Sequence, residues 1–161
     1  MLAGHGKGIL GDAELEEAVR WMTTLNAAAA DVVRPFEPSA VTDVTGFGLF
    51  GHVHETADRS GVRIRLDAAA LPALDGALEV ARRGVRTGGD PRNRDFAAPH
   101  VETDGLSEEL LALGYDAQTA GGLLISLPAD KALSLASAFR ARELFLQRIG
   151  RVEAGAGVVV D

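Results

Sequence analysis

The chain has 161 residues, 47% apolar and 24% charged, with a formal net charge of -7 and no cysteine, the profile of one soluble globular domain, residues 1–161, with enough apolar side chains for a core. Its acidity excludes a nucleic-acid surface, which needs clustered cations to displace counterions: the one basic stretch, Arg82 to Arg94, is short and interrupted by Asp90. The missing cysteines exclude disulfides, thiolate zinc sites and thiol nucleophiles, and no apolar run approaches the roughly 18 to 20 residues that cross a bilayer, so a cytoplasmic protein without membrane contact is expected.

The opening MLAGHGKGIL lacks the apolar core of a signal peptide. From Asp12, a plausible N-cap, Leu15, Ala18, Val19, Met22, Leu25 and Ala29 follow the spacing of one amphipathic helix, ended by Pro35 and Pro38. Glu14, Glu16 and Glu17 sit near its positive end, and Trp21 and Met22 are assigned to the core. SAVTDV is a strand, TGFG a turn, and the next helix carries Leu49, Phe50, Val53 and Ala57 on one side and closes at Gly61. VRIRL alternates, so Val62, Ile64 and Leu66 face a core while Arg63 and Arg65 face out. A third helix runs from about Leu74 to Arg83 and stops at Gly84.

The stretch from Val85 to Gly105 shows no usable periodicity, the mark of a functional or disordered loop. A short helix near Glu108 to Leu113, the turn YDAQTAGG, the strand LLISL and a helix opened by PAD with Leu133, Leu135, Ala136 and Phe139 come next. Two strands, LFLQRIGRV and GVVVD, end the chain. Helices alternate with strands that lack the long Val/Ile runs of a buried parallel sheet, which predicts an α+β fold: a mixed β-sheet flanked by helices.

Two stretches, TDVTGFGL and DAQTAGGLL, are loosely alike. A glycine turn that leads from a strand into a helix leaves unpaired N–H groups and the positive dipole end at one spot, an anion site whose commonest tenant is phosphate. There Gly46 and Gly48 would permit close approach, Thr45 could donate its hydroxyl, and Asp43 could hold Mg²⁺, which takes few carboxylates, several waters and phosphate oxygens from a substrate. The same residue types also build turns that bind nothing, and the spacing differs from dinucleotide and P-loop patterns. In the second stretch Thr119, Gly121 and Gly122 are the matching phosphate candidates, although a turn running straight into LLISL equally suits close backbone packing. His52 and His54 do not share a helix face, so a core or solvated role is expected of them. His5 and His100 have no partner at ligand spacing. No nucleophile arrangement is present, and no catalytic residue is assigned.

Taken together, AVTDVTGFGLFGHVHETADRSGV, LPALDGALEVARRGVRTGGDPRN and YDAQTAGGLLISLP resemble, in order and spacing, the C-terminal half of the selenophosphate synthetase (selenide, water dikinase) family. That family lies within the superfamily of aminoimidazole ribonucleotide synthetase and thiamine monophosphate kinase. GKGIL is similar to the family's GTGIL at the junction of its halves, and WMTTLNAAAA to the helix after it.

The resemblance implies an α+β domain that pairs with an N-terminal nucleotide-binding domain, in an enzyme that is a homodimer when full length. With Mg²⁺, that enzyme turns ATP, selenide and water into selenophosphate, AMP and phosphate. It implies that Asp43 is the C-domain aspartate on Mg²⁺, with Thr45, Gly46 and Gly48 beside the nucleotide phosphates. The family's DPQTSGG is kept at Asp116, Gln118, Thr119, Gly121 and Gly122, with Ala117 for Pro and Ala120 for Ser. The family's reactive Cys or selenocysteine, catalytic lysine and most metal-binding aspartates belong to the N-terminal half, which is expected to be missing here, so the isolated chain is expected to be inactive. The alternatives are another ATP-dependent enzyme of the superfamily and a free-standing nucleotide- or partner-binding module without catalysis.

Overall fold

In the computed structural model, which describes residues 1–161, helices α1 (Leu2–Gly6), α2 (Asp12–Thr23) and α3 (Ala27–Val33) open the chain. The single helix expected from Asp12 to the prolines is therefore broken at residues 24–26. The hydroxyls of Thr23 and Thr24 donate to the carbonyls of Val19 and Arg20 and compete for the last acceptors of α2. Thr24 then turns extended, with ψ 118°, and the Asn26 side-chain amide reaches across the molecule to the Gly121 carbonyl at 3.0 Å. Only Ala18 of α2 is buried. Trp21, assigned to the core from its helical spacing, is instead 40% exposed and lies edge-on to Phe145, because no other element covers that face of α2.

Pro35 ends α3 as expected. After it come β1 (Ala40–Asp43), α4 (Gly48–Ser60) and β2 (Arg63–Leu66), with Gly61 closing α4 in the left-handed region at φ 63°. Helix α5 (Ala77–Arg82) stops two residues before Gly84. The stretch without apolar periodicity contains α6 (Asp90–Ala97) and the short β3 (Val101–Glu102). The buried face of α6 is Asp90, Asn93 and Ala97, at i, i+3 and i+7, so polar and small residues carry its period and a hydrophobic pattern cannot reveal it. An i,i+4 ion pair from Arg94 to Asp90 at 3.0 Å supports the helix. Helix α7 (Glu108–Tyr115), β4 (Leu123–Ser126), α8 (Ala132–Ala141), β5 (Gly150–Glu153) and β6 (Gly157–Val160) complete the domain.

The α+β class holds, with the strands divided between two sheets. The mixed sheet has the order β3-β6-β2-β5, in which β6 runs parallel to β3 and β2 while β5 is antiparallel to β2. Strands β1 and β4 form a separate antiparallel ribbon, Ala40 opposite Ser126 and Asp43 opposite Leu123. In β2, Ile64 and Leu66 are buried and Arg65 faces out to Glu153 and Asp161, as its alternation predicts. Phe50, Val53 and Ala57 of α4 pack with Val158 and Val160 of the mixed sheet, and Tyr115 meets Phe50 edge-on at 5.1 Å. A smaller core joins Val32 and Val33 of α3 to Leu135 and Phe139 of α8, with Ile125 of the ribbon packed on it. Helix α4 thus starts at the end of the ribbon and is anchored on the mixed sheet.

Phe50 is fully buried, so Phe50→Ala is expected to cost about 3–5 kcal/mol in urea unfolding, whereas Leu133→Ala, at an 83% exposed position of α8, stays within about 0.5 kcal/mol of the parent.

Candidate functional site

Pairing between β1 and β4 continues beyond the strands into both glycine turns. Val44 N–H donates to the Gly122 carbonyl at 2.9 Å, Gly121 N–H to the Val44 carbonyl at 3.0 Å, and Gln118 N–H to the Thr45 carbonyl at 3.1 Å. The two similar stretches of sequence therefore lie against each other. A Cβ on Gly121 would stand 2.3 Å from the Val44 carbonyl oxygen, so this glycine exists for backbone contact. Gly48 has φ +70°, and a Cβ there would come within 2.9 Å of the Gly114 carbonyl oxygen; its N–H is taken by the Thr45 carbonyl at 3.0 Å. At Gly46 and Gly122 a Cβ would meet open space.

The first turn is held from inside by two buried side chains. Thr45 N–H donates to Nε2 of His52 at 2.9 Å, and the Thr45 hydroxyl lies 3.2 Å from the same nitrogen. His52 is a core residue, as expected, and one that caps the turn; because its Nε2 accepts, the ring proton is on Nδ1. Asn93, 4% exposed, donates from Nδ2 to the carbonyls of Gly46 and Tyr115, both at 2.9 Å. The N–H groups of Gly46 and Phe47 have no backbone acceptor. Asp43 is exposed at the end of β1. No three His, Cys, Asp or Glu side chains converge to make a metal centre from this chain alone. Two free amides, a threonine hydroxyl and one carboxylate at the start of a 13-residue helix can hold an oxyanion and share a cation bound to it.

The second turn begins at Asp116. Burial pushes its carboxyl above the ordinary aspartate value and the Asp90 charge adds to this, against the Thr87 hydroxyl, the chain amino terminus and the Gln118 amide. Asp116, Gln118 and Thr119 mark the polar side of a cleft of about 640 Å³ walled mostly by apolar side chains of α2, α5, β4 and residues 144–149. Trp21, Leu25 and Phe145 stand exposed along it. The cleft shares Val44 and the second turn with the glycine site but does not include Asp43 or Gly46. The other histidines lie elsewhere: His54 stacks parallel on His100 at 4.2 Å, and burial and that neighbour lower its pKa, while His5 meets Asp12 at 3.0 Å.

Asp43, Thr45, Gly46 and Gly48 are thus brought beside Thr119, Gly121 and Gly122, but Gly48 and Gly121 have their amides and their space committed to packing. Two contributors escape a reading of the sequence. His52 is seven residues from Thr45, and neither it nor Asn93 of TGGDPRN stands at a spacing that ties it to the turn.

A strand, glycine turn and helix closed against a second glycine turn, within an α+β domain of two sheets, define the class. The family described as AIR synthase related protein, C-terminal domain, matches residues 3–161, and the chain belongs to it. Among curated proteins the chain is similar to the selenide, water dikinase of Nitratidesulfovibrio vulgaris, 45% identical over 121 residues that make up 74% of this chain and 35% of that protein. It is likewise similar to the selenide, water dikinase of Geobacter metallireducens, 42% identical over 139 residues, 86% of this chain and 40% of that one. Among solved structures, thiamine-monophosphate kinase from Stenotrophomonas maltophilia K279a aligns over 99% of this chain and 45% of its own, with a TM-score of 0.67 and 25% identity. The chain spans less than half the length of each. None of its helices is long and apolar enough to cross a membrane.

Two predictions follow from the turns. Gly48→Ala and Gly121→Ala are each expected to cost about 1–3 kcal/mol or more in chemical denaturation, whereas Gly46→Ala and Gly122→Ala leave stability within about 0.5 kcal/mol. Because the Asp116 pKa is raised in the folded state, its contribution to stability is fully present below the unfolded value near 3.8 and is lost as pH rises through the folded value. Urea stability of Asp116→Asn relative to the parent should therefore rise over that window and level off above it; a difference that stays constant with pH refutes the assignment.

Proposed function

We propose that this chain is the C-terminal domain of a selenide, water dikinase. Together with a nucleotide-binding domain of the same enzyme it completes a Mg-ATP site, and the whole enzyme converts ATP, selenide and water to selenophosphate, AMP and phosphate. One observation carries the proposal: the Gly46 and Phe47 amides of the first glycine turn, which have no backbone acceptor, stand just after the strand that bears Asp43, in a chain 45% and 42% identical to two such dikinases. Its identity to the thiamine-monophosphate kinase is 25%, which favours the selenium branch.

In this assignment Thr45, Gly46 and Gly48 at the first turn and Thr119, Gly121 and Gly122 at the second line the polyphosphate, with Gly48 and Gly121 acting by letting the two backbones close. Asp43 is the Mg²⁺ residue. A lone exposed carboxylate beside amides without a backbone acceptor suits an ion that takes its remaining ligands from phosphate and water. The metal, when bound, supplies charge neutralisation at the transferring phosphoryl group. The chain's own part is to orient: free amides donate to phosphate oxygens, the α4 dipole favours the negative charge, and the Thr45 hydroxyl adds a donor. The partner domain docks over the uncovered face of α2, where Trp21, Leu25 and Phe145 are exposed along the cleft. The full-length enzyme is a cytoplasmic homodimer.

Calorimetric titration of Mg-ATP into the chain and into Asp43→Ala tests the metal role. Asp43→Ala is expected to bind roughly tenfold more weakly, the value of one charge-assisted contact; equal affinities refute it. Phosphorus NMR of the chain with ATP and selenide is expected to show no selenophosphate, and its appearance would refute the need for a second domain.

A further inference from the structure

We infer, building on the phosphate-binding role proposed for the first glycine turn, that Asn93 is the positioning residue of that site: it sets the Gly46–Phe47 peptide so that the Phe47 N–H faces outward to a phosphate-type oxyanion. Both hydrogens of its Nδ2 are used, one on the Gly46 carbonyl and one on the Tyr115 carbonyl. Two carbonyl partners require nitrogen at this position, since an oxygen there would face two acceptors. In a planar trans peptide the C=O and the following N–H point in opposite directions. Drawing the Gly46 carbonyl inward to a side chain that is 4% exposed therefore aims the Phe47 N–H outward.

The neighbouring peptides are anchored by other groups. Thr45 N–H is held by His52, and the Thr45 carbonyl accepts from both Gly48 and Gln118. The Gly46–Phe47 unit has no such hold. A Cβ at Gly46 would meet open space, so no packing contact there fixes the direction of this peptide, and the Asn93 hydrogen bond on its carbonyl supplies the hold. Asn93 is itself placed by its backbone: its N–H donates to the Gly89 carbonyl at 3.0 Å. Gly89 lets the start of α6 close on the second turn, where a Cβ would stand 2.9 Å from that of Ala117. TGGDPRN thus acts on the phosphate turn through one side chain without touching the ligand.

Amide NMR of the chain, with inorganic tripolyphosphate plus Mg²⁺ as the probe, tests this. In the parent chain the Phe47 amide is expected to exchange with solvent quickly while that of Thr45 is protected, and the probe shifts the Gly46 and Phe47 signals. In Asn93→Ala, and in the milder Asn93→Ser, which keeps one donor, the Thr45 and Gln118 signals stay in place while the Phe47 signal moves. Affinity for the probe falls about tenfold or more, the loss expected when an amide no longer meets a charged oxygen. Folded variants that bind as tightly as the parent with an unmoved Phe47 signal would overturn the role of Asn93 and leave the phosphate site standing. A parent chain whose Gly46 and Phe47 signals ignore the probe would instead overturn the phosphate role, and this inference with it. A Phe47 amide protected in the parent overturns the inference whether or not the variants fold.

Discussion

The closure of one glycine turn on the other is the constraint on which the rest of this domain depends. Three backbone hydrogen bonds, from Val44, Gly121 and Gln118, extend the ribbon past its last paired residues and join segments far apart in the chain. The approach is so close that a single Cβ at Gly121 would enter the Val44 carbonyl. With that spacing set, the end of β1, the start of α4 and the end of α7 occupy fixed relative positions. The Gly121 carbonyl accepts from the Asn26 side chain, so the break between α2 and α3 is tied to this turn as well.

Helix α4 converts that constraint into the proposed site. Its inner face, Phe50, Val53 and Ala57, is buried against the mixed sheet, and apolar burial of this kind is non-directional: it holds the helix in place without specifying how its first peptides point. Direction comes from the polar contacts. His52 and Asn93 each spend a buried side chain on one backbone group of the turn, and buried groups left unpaired would cost more than their partners gain. The N–H groups of Gly46 and Phe47 are the ones in this turn left without a backbone acceptor or a side-chain partner.

Much of this was legible in the sequence where hydrophobic period and turn chemistry agree. The alternation of VRIRL gave β2 its faces, Gly61 marked the end of α4, and the two glycine stretches announced themselves by their likeness. What escaped did so for physical reasons. Helix α6 faces inward with Asp90, Asn93 and Ala97, so no apolar stripe betrays it. The break after Thr23 depends on hydroxyls and on an Asn26 contact to a residue distant in sequence. Trp21 has the spacing of a core residue on a helix whose apolar face this domain leaves uncovered. The partition of the strands into two sheets is a matter of long-range pairing, which no local pattern records. The glycine stretches mark themselves in the sequence, but only the fold separates Gly48 and Gly121, closed by packing, from Gly46 and Gly122, open to solvent.

That separation bears on how the proposed site can work. Backbone amides carry no net charge, and a helix end offers the equivalent of roughly half an elementary charge, while the chain as a whole carries a net charge of -7. A bare polyphosphate is therefore repelled at long range by the domain whose turn could bind it at contact. Asp43 sharpens the conflict, since an exposed carboxylate beside an anion site opposes the anion unless a cation lies between them. The arrangement becomes favourable when the phosphates arrive already bound to a divalent ion, which the carboxylate then attracts and the amides complement. In the proposed enzyme, one carboxylate on one side of such an ion would leave its other side, and the remaining phosphate charge, to the nucleotide-binding domain, the division of labour expected of a site assembled between two domains.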